Sequence, residues 1–199
     1  MEKSSQKFGR IIQIAFEIAN SHISEGGMKF DNEASFQLFF SNILLDVARL
    51  SYIGKNRRFE VELEKIIKLD NPTPKTQNEE ARCDIRCKLA DVANKDADSF
   101  CYIELKYFPE NSDTVTDKRK SVYLDIKNLE SYMYDGTGKK KNGIAACYMI
   151  LVAEDEKFRA KGTHKFTISE GMNISSQDSI NLRESYLCEW QGKMLKIKI

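Results

Sequence analysis

Residues 82–89, Arg-Cys-Asp-Ile-Arg-Cys-Lys-Leu, and residues 100–108, Phe-Cys-Tyr-Ile-Glu-Leu-Lys-Tyr-Phe, decide how this sequence reads. Both alternate polar and apolar side chains with the two-residue period of a strand. Asp84, Arg86 and Lys88 fall on one side of the first segment, opposite Ile85, Cys87 and Leu89. In the second, Glu104 and Lys106 share a side, and Cys101, Ile103, Leu105 and Tyr107 share the other. The connection from Ala90 to Asp98 is polar and short enough for an antiparallel pair. A turn around residue 94 sets Asp84 opposite Glu104 or a near neighbour, with Lys106 alongside. The apolar sides then share the core, and the polar sides are solvated or carry a function.

Like charges facing each other across a sheet destabilise it by some tenths of a kcal/mol to about 1 kcal/mol. A bound cation removes the repulsion. Magnesium takes one or two carboxylates and keeps waters that can attack a phosphodiester, and a neighbouring ammonium can orient or help deprotonate such a water. Asp84, Glu104 and Lys106 meet that requirement. The plainer reading is a solvated sheet face on which Lys106 neutralises its neighbours.

Upstream, Phe8, Ile11, Ile12, Ala15, Phe16 and Ala19 recur at helical spacing and predict an amphipathic helix over about residues 6–22, ended by Glu25-Gly26-Gly27. Asp31 or Asn32 caps a second helix running to about residue 51, with Phe36, Phe40, Ile43, Leu44, Val47 and Leu50 on one stripe. Residues 58–67 alternate as a strand, with Phe59, Val61, Leu63, Lys65 and Ile67 on one side and Glu60, Glu62 and Glu64 on the other. Pro72 and Pro74 mark the stretch up to Glu80 as a loop. Downstream, Val122, Ile126, Leu129 and Met133 predict a helix over 118–134. The continuous apolar run from Ile144 to Val152 predicts a strand buried on both faces and reached by a helical crossover. Tyr186–Trp190 and Lys193–Ile199 suggest a hairpin around Gln191-Gly192.

With 199 residues, 41% apolar and 31% charged, the chain is expected to fold as a single domain over residues 1–199, with a core at about 32–153 and with 154–199 as a sheet extension or small attached element. A secretion signal and a membrane-spanning run are both missing from the pattern, so a cytoplasmic protein without membrane attachment is expected. The odd count of five cysteines, four of them in apolar runs, predicts buried free thiols rather than disulfides or a zinc site. A net charge of +1 does not announce a nucleic-acid partner, so any such contact must be local. The basic stretches Lys55-Asn56-Arg57-Arg58 and Lys139-Lys140-Lys141 read first as solvated loops and second as phosphate contacts. His22 and His164 lack a partner at useful spacing, and Trp190 reads as a core or interface residue rather than a stacking platform. A small-molecule α/β enzyme is disfavoured by the lack of a glycine-rich phosphate loop or nucleophile elbow.

Arg-Cys-Asp-Ile at 82–85 and Tyr-Ile-Glu-Leu-Lys at 102–106, within an α-β-β-β-α-β order, resemble the PD-(D/E)xK nuclease superfamily over about residues 32–153. The resemblance implies a restriction-endonuclease-like αβββαβ core: a mixed sheet flanked by helices, here with an extra N-terminal helix and C-terminal strands. It implies that Asp84 and Glu104 bind Mg²⁺, with Mn²⁺ as substitute, that the Leu105 carbonyl is a further ligand, and that Lys106 assists the nucleophilic water. Glu33, at the start of the second helix, is the counterpart of a glutamate that many members add, with Glu62 and Glu64 as weaker substitutes. Asp125 and Lys127 lie where auxiliary polar residues sometimes sit, Lys127 at the site edge. Cys83 departs from the usual proline. The expected activity is restriction-type endonuclease cleavage of double-stranded DNA leaving a 5′-phosphate, with a homodimer suited to cutting both strands. The alternative is a catalytically inactive module of the same fold that binds nucleic acid or protein.

Overall fold

The structure is a computed structural model and describes residues 3–51, 56–76, 78–94, 97–110, 115–159, 165–173 and 179–199. Helix α1, Ser4–Asn20, buries the predicted stripe from Phe8 to Ala19 and continues into a π turn, Ser21–Glu25, that stops at Gly26 and Gly27. Helix α2, Glu33–Leu50, starts where Asn32 accepts a hydrogen bond from the Ser35 amide at 2.9 Å, which satisfies one of the orphan donors of its first turn.

Strands β1 (Arg57–Lys68), β2 (Glu80–Asp91) and β3 (Ser99–Phe108) follow, then helix α3 (Val115–Met133) and strand β4 (Ile144–Ala153). Shorter strands complete the chain: β5 (Lys165–Ile168), β6 (Gly171–Asn173), β7 (Ser179–Asn181), β8 (Tyr186–Gln191) and β9 (Met194–Lys198). Seven strands form one mixed sheet in the order β1-β2-β3-β4-β9-β8-β5, and β6 and β7 make a separate two-stranded ribbon. β3 and β4 are parallel, so α3 is the crossover that the sequence predicted. The C-terminal residues extend the sheet: β9 pairs antiparallel with β4 and turns back into β8.

Alternation along β4 separates two cores. Ala146, Tyr148, Ile150 and Val152 pack beneath α1 and α2, whereas Cys147, Met149, Leu151 and Ala153 pack beneath α3. All five cysteines are buried and free, as their setting predicted.

Two sequence expectations change. The polar side of β3 is not solvated, because α3 covers it and Glu104 is fully buried, whereas Arg86 and Lys88 on β2 stay partly exposed. The strict alternation expected along residues 58–67 also fails: Phe59 and Val61 pack with one core and Ile67 with the other. The break lies at Glu64, which has φ +52° and no partner in an otherwise regular β1–β2 register, so a single left-handed residue resets which side faces which helix. Opposite this kink, on β2, Cys83 packs beneath α3 and Ile85 beneath α1 and α2. Asp84 sits at that change of face.

The β8–β9 turn is locked to the first helix. Gly192 has φ +58°, a Cβ there would collide with the Ser24 side chain, and Ser24 Oγ accepts a hydrogen bond from the Lys193 amide at 2.9 Å. Gly192→Ala is therefore expected to lower unfolding free energy by roughly 1–3 kcal/mol in urea titrations. An unchanged midpoint would contradict this placement of the C-terminal hairpin.

Candidate metal centre

The β2–β3 register is the predicted one: Ile85 faces Ile103, Arg86 faces Tyr102 and Cys87 faces Cys101. Asp84 and Glu104 are the next residues past the Ile85–Ile103 pair, and Asp84 Oδ2 accepts a hydrogen bond from the Leu105 amide at 2.6 Å. The Gln37 amide on α2 donates to the Asp84 carbonyl at 2.6 Å and to Glu64 at 2.9 Å, which ties the kink in β1 and β2 to the helix layer.

Lys106 lies at the end of β3, where helices from both layers meet. Its ammonium contacts Asp125 Oδ2 on α3 at 2.9 Å, the Glu33 carboxylate on α2 at 3.3 and 3.4 Å, and the Leu105 carbonyl at 3.1 Å. Glu33 also accepts from the Tyr107 amide at 3.3 Å. Asp84, Glu104, Lys106, Glu33 and the Leu105 backbone are thus brought to one place. Lys127 is not: it pairs with Glu130 at 3.3 Å, one turn along its own helix, because it projects from a different face of α3 than Asp125. Glu62 pairs with Arg86 and Lys65, away from the cluster.

Sequence reasoning missed Lys75 and Tyr132. Lys75 lies in the proline-bearing loop before β2, pinned to α3 by a 2.6 Å hydrogen bond from Thr73 Oγ1 to Asn128. Its ammonium pairs with Asp125 and stands 4.0 Å from Glu104 Oε2. Tyr132 OH donates to Glu104 Oε1 at 2.9 Å. The signal for Tyr132 was present, because Asp125, Asn128 and Tyr132 step by three and four and form a polar stripe beside the apolar one on α3. No spacing pattern singles out Lys75.

Four carboxylates, Glu33, Asp84, Glu104 and Asp125, surround two ammonium groups, an excess of two negative charges if all are ionised. Burial pushes the Asp84 carboxyl up to about 6, against the opposing pull of the Leu105 amide and Lys106. Burial, then the neighbouring Asp84 and Asp125, push Glu104 well above the carboxylate range. For Lys106 burial acts to lower the value, but Asp125 and Glu33 outweigh it and hold the ammonium charged. Glu104 Oε2 is buried and meets no hydrogen-bond donor among the described residues.

A divalent cation fits this donor set. Among the described residues no three acidic, histidine or cysteine side chains form a ready-made cage. Magnesium does not require one, since it typically uses one or two carboxylates and completes its shell with water and substrate phosphate. Asp84, the free oxygen of Glu104 and the Leu105 carbonyl are the oxygens available to it.

The basic stretches are engaged elsewhere. Arg58 pairs with Glu60, Arg57 lies 3.7 Å from Asp91, and Lys141 lies 3.1 Å from Asp70. Lys55 and His164 lie outside the described residues, and His22 packs edge-on against Phe39. Among the described residues no helix is long and apolar enough to cross a membrane.

Compared with known proteins, the chain matches no family model, no curated protein and no solved structure.

The raised Asp84 carboxyl has a definite sign in stability. Between about pH 4 and 6 the folded state keeps a proton that the unfolded chain has released. That stabilisation is complete below the unfolded value and is lost as pH rises through about 6. Discounted for the partial exposure of Asp84, it amounts to on the order of 2 kcal/mol. Without added metal, Asp84→Asn should unfold at a higher temperature than wild type at pH 8 and the gap should shrink towards pH 4. A variant less stable than wild type at pH 8 would contradict this.

Proposed function

We propose that the protein is a divalent-metal-dependent nuclease of the PD-(D/E)xK type that hydrolyses phosphodiester bonds, with DNA as substrate and restriction-type endonuclease cleavage as the closest description. The observation that carries this reading is the crowding of the Asp84 and Asp125 carboxyls around the fully buried Glu104, whose Oε2 meets no hydrogen-bond donor among the described residues. Supporting it is the α-β-β-β-α-β order from α2 to β4, with acidic residues on paired strands and Glu33 reaching in from the first core helix. The restriction-endonuclease-like core belongs to this proposal.

Asp84, Glu104 and the Leu105 carbonyl would hold Mg²⁺ or Mn²⁺. The ion would polarise the phosphate and lower the pKa of a bound water. The protein's own groups do the rest. Lys106, kept charged by Asp125 and Glu33, donates hydrogen bonds to a phosphoryl oxygen or to the attacking water and offsets charge developing at phosphorus. It acts as a fixed cation rather than as the base. Asp125 and Glu33 hold Lys106 from two sides, and Tyr132 orients Glu104 through Oε1 so that Oε2 stays free. Lys75 supplies a second positive charge next to Glu104 and Asp125.

The test combines cleavage with binding. Plasmid, single-stranded DNA and RNA are incubated with Mg²⁺, Mn²⁺ or chelator. Cleavage is expected only with metal, and Asp84→Ala and Lys106→Ala should each reduce it by roughly a hundredfold or more. Mg²⁺ should also raise the melting temperature of the wild type but not of Asp84→Ala. Full cleavage by either variant would remove the site from the reaction. No cleavage together with no Mg²⁺ effect would favour an inactive binding module in which Lys75 and Lys106 neutralise the carboxylates permanently.

A further inference from the structure

A cavity of about 320 Å³ lies on the α3 side of the sheet. Its wall residue Leu151 is the direct cross-strand neighbour of Lys106. Phe108, another wall residue, lies two positions past Lys106 on β3, about 6.6 Å along a strand. Val122 precedes Asp125 by three positions on α3, about 4.5 Å along the helix.

The lining has two chemistries. Phe108, Tyr123, Phe158 and Trp190 bring flat aromatic rings, with Phe108 and Phe158 at 5.0 Å between ring centres and tilted by 48°. Lys118, Arg119 and Lys157 add three cations, of which Lys118 lies over the Phe108 ring at 5.3 Å and Lys157 over the Phe158 ring at 5.1 Å. The other wall residues are mainly aliphatic, and among the described residues no acidic side chain lines the cavity, although Lys157 pairs with Asp155 at 3.1 Å. Aromatic walls with a cationic border suit a flat, uncharged ring carried on an anionic chain, which describes a nucleobase on its phosphate backbone. The volume falls at the lower end of the roughly 300–1,000 Å³ of small-molecule sites, so one base with its sugar is the unit it can take.

We propose that this cavity receives one unpaired nucleobase of the nucleic-acid substrate next to the phosphate held at Lys106. The proposal rests on the nuclease reading and narrows its substrate to strands that are single or can extrude a base, since a base stacked within a duplex cannot enter a walled cavity. It also gives Trp190 a role beyond the core packing expected for it. The alternative occupant, an acyl chain with an acidic head, would use the cations but has no use for four aromatic rings.

Trp190 is the sole tryptophan of the chain and reports on the cavity directly. The full-length protein is titrated, in chelator so that nothing is cut, with a mixed-sequence single-stranded DNA oligonucleotide, an abasic sugar-phosphate chain of equal length, and decanoate. The oligonucleotide should change Trp190 emission and bind about tenfold more tightly than the abasic chain. A duplex with one unpaired base should outcompete the fully paired duplex. Val122→Trp, which fills the cavity, should remove the preference for bases while leaving abasic binding intact. If that variant does not fold, the exposed Arg119→Glu should weaken oligonucleotide binding severalfold. Equal affinity for oligonucleotide and abasic chain with unchanged emission overturns the proposal. A response to decanoate alone overturns it in favour of an acyl ligand. The nuclease reading fails separately, if Trp190 responds to the oligonucleotide yet no nucleic acid is cut when metal is present.

Discussion

The structure turns on a carboxylate placed where water cannot reach it. Glu104 is fully buried beneath α3, with Asp84 and Asp125 acting on it and two lysines too few to balance four acids. An arrangement of this kind opposes folding unless protons or a cation compensate it. The surroundings are built to sustain it. β3 lies between two hydrophobic cores, Tyr132 supplies a hydrogen bond from above, and the Asp84 carboxylate on β2 is fixed by the Leu105 amide of β3. A site that opposes stability and yet is held this firmly has the character of a functional one.

Lys106 is where the two layers of the fold become interdependent. Glu33 reaches it from the start of α2 and Asp125 from the middle of α3, so neither helix can shift without disturbing the ammonium. The same contacts govern its charge. With two carboxylates outweighing the effect of burial, it keeps its proton, so in the proposed reaction it would supply charge and direction rather than act as the base. A divalent cation drawn to Asp84 and Glu104 would enter the same electrostatic field, and the ion and the lysines would divide the four carboxylates between them.

The sequence carried the parts of this that depend on local period. The helical stripes of α1 and α2, the antiparallel register of β2 and β3 and the crossover to β4 all follow from spacing, because hydrophobic periodicity and connection length constrain them directly. The meeting of Asp84, Glu104 and Lys106 follows from the same register, whereas Glu33, on a helix, was expected from the resemblance and from its place at the start of α2. Burial of the polar side of β3 was not legible, since alternation reveals which side chains share a face but not whether water or a helix lies above it. The change of face at Asp84 depends on one left-handed residue, Glu64, whose identity gives no warning as a glycine or asparagine would. Lys75 was hidden because a loop brings it in through Thr73 and Asn128, a contact between residues 55 positions apart.

Helix α3 links the charged cluster to the aromatic cavity. Asp125 and Tyr132 face the carboxylates, while Val122 and Tyr123 line the cavity one turn earlier, so both sites share one rigid element. Because Lys106 and Leu151 are partners across β3 and β4, the sheet fixes the same spacing from below. The distance between the charged site and the ring-lined space is therefore set twice, by a helix pitch and by a strand register, and neither depends on a loop. A substrate that uses both must present an anion and a flat ring at that fixed separation, which a nucleotide chain does at every step and most other polyanions do not.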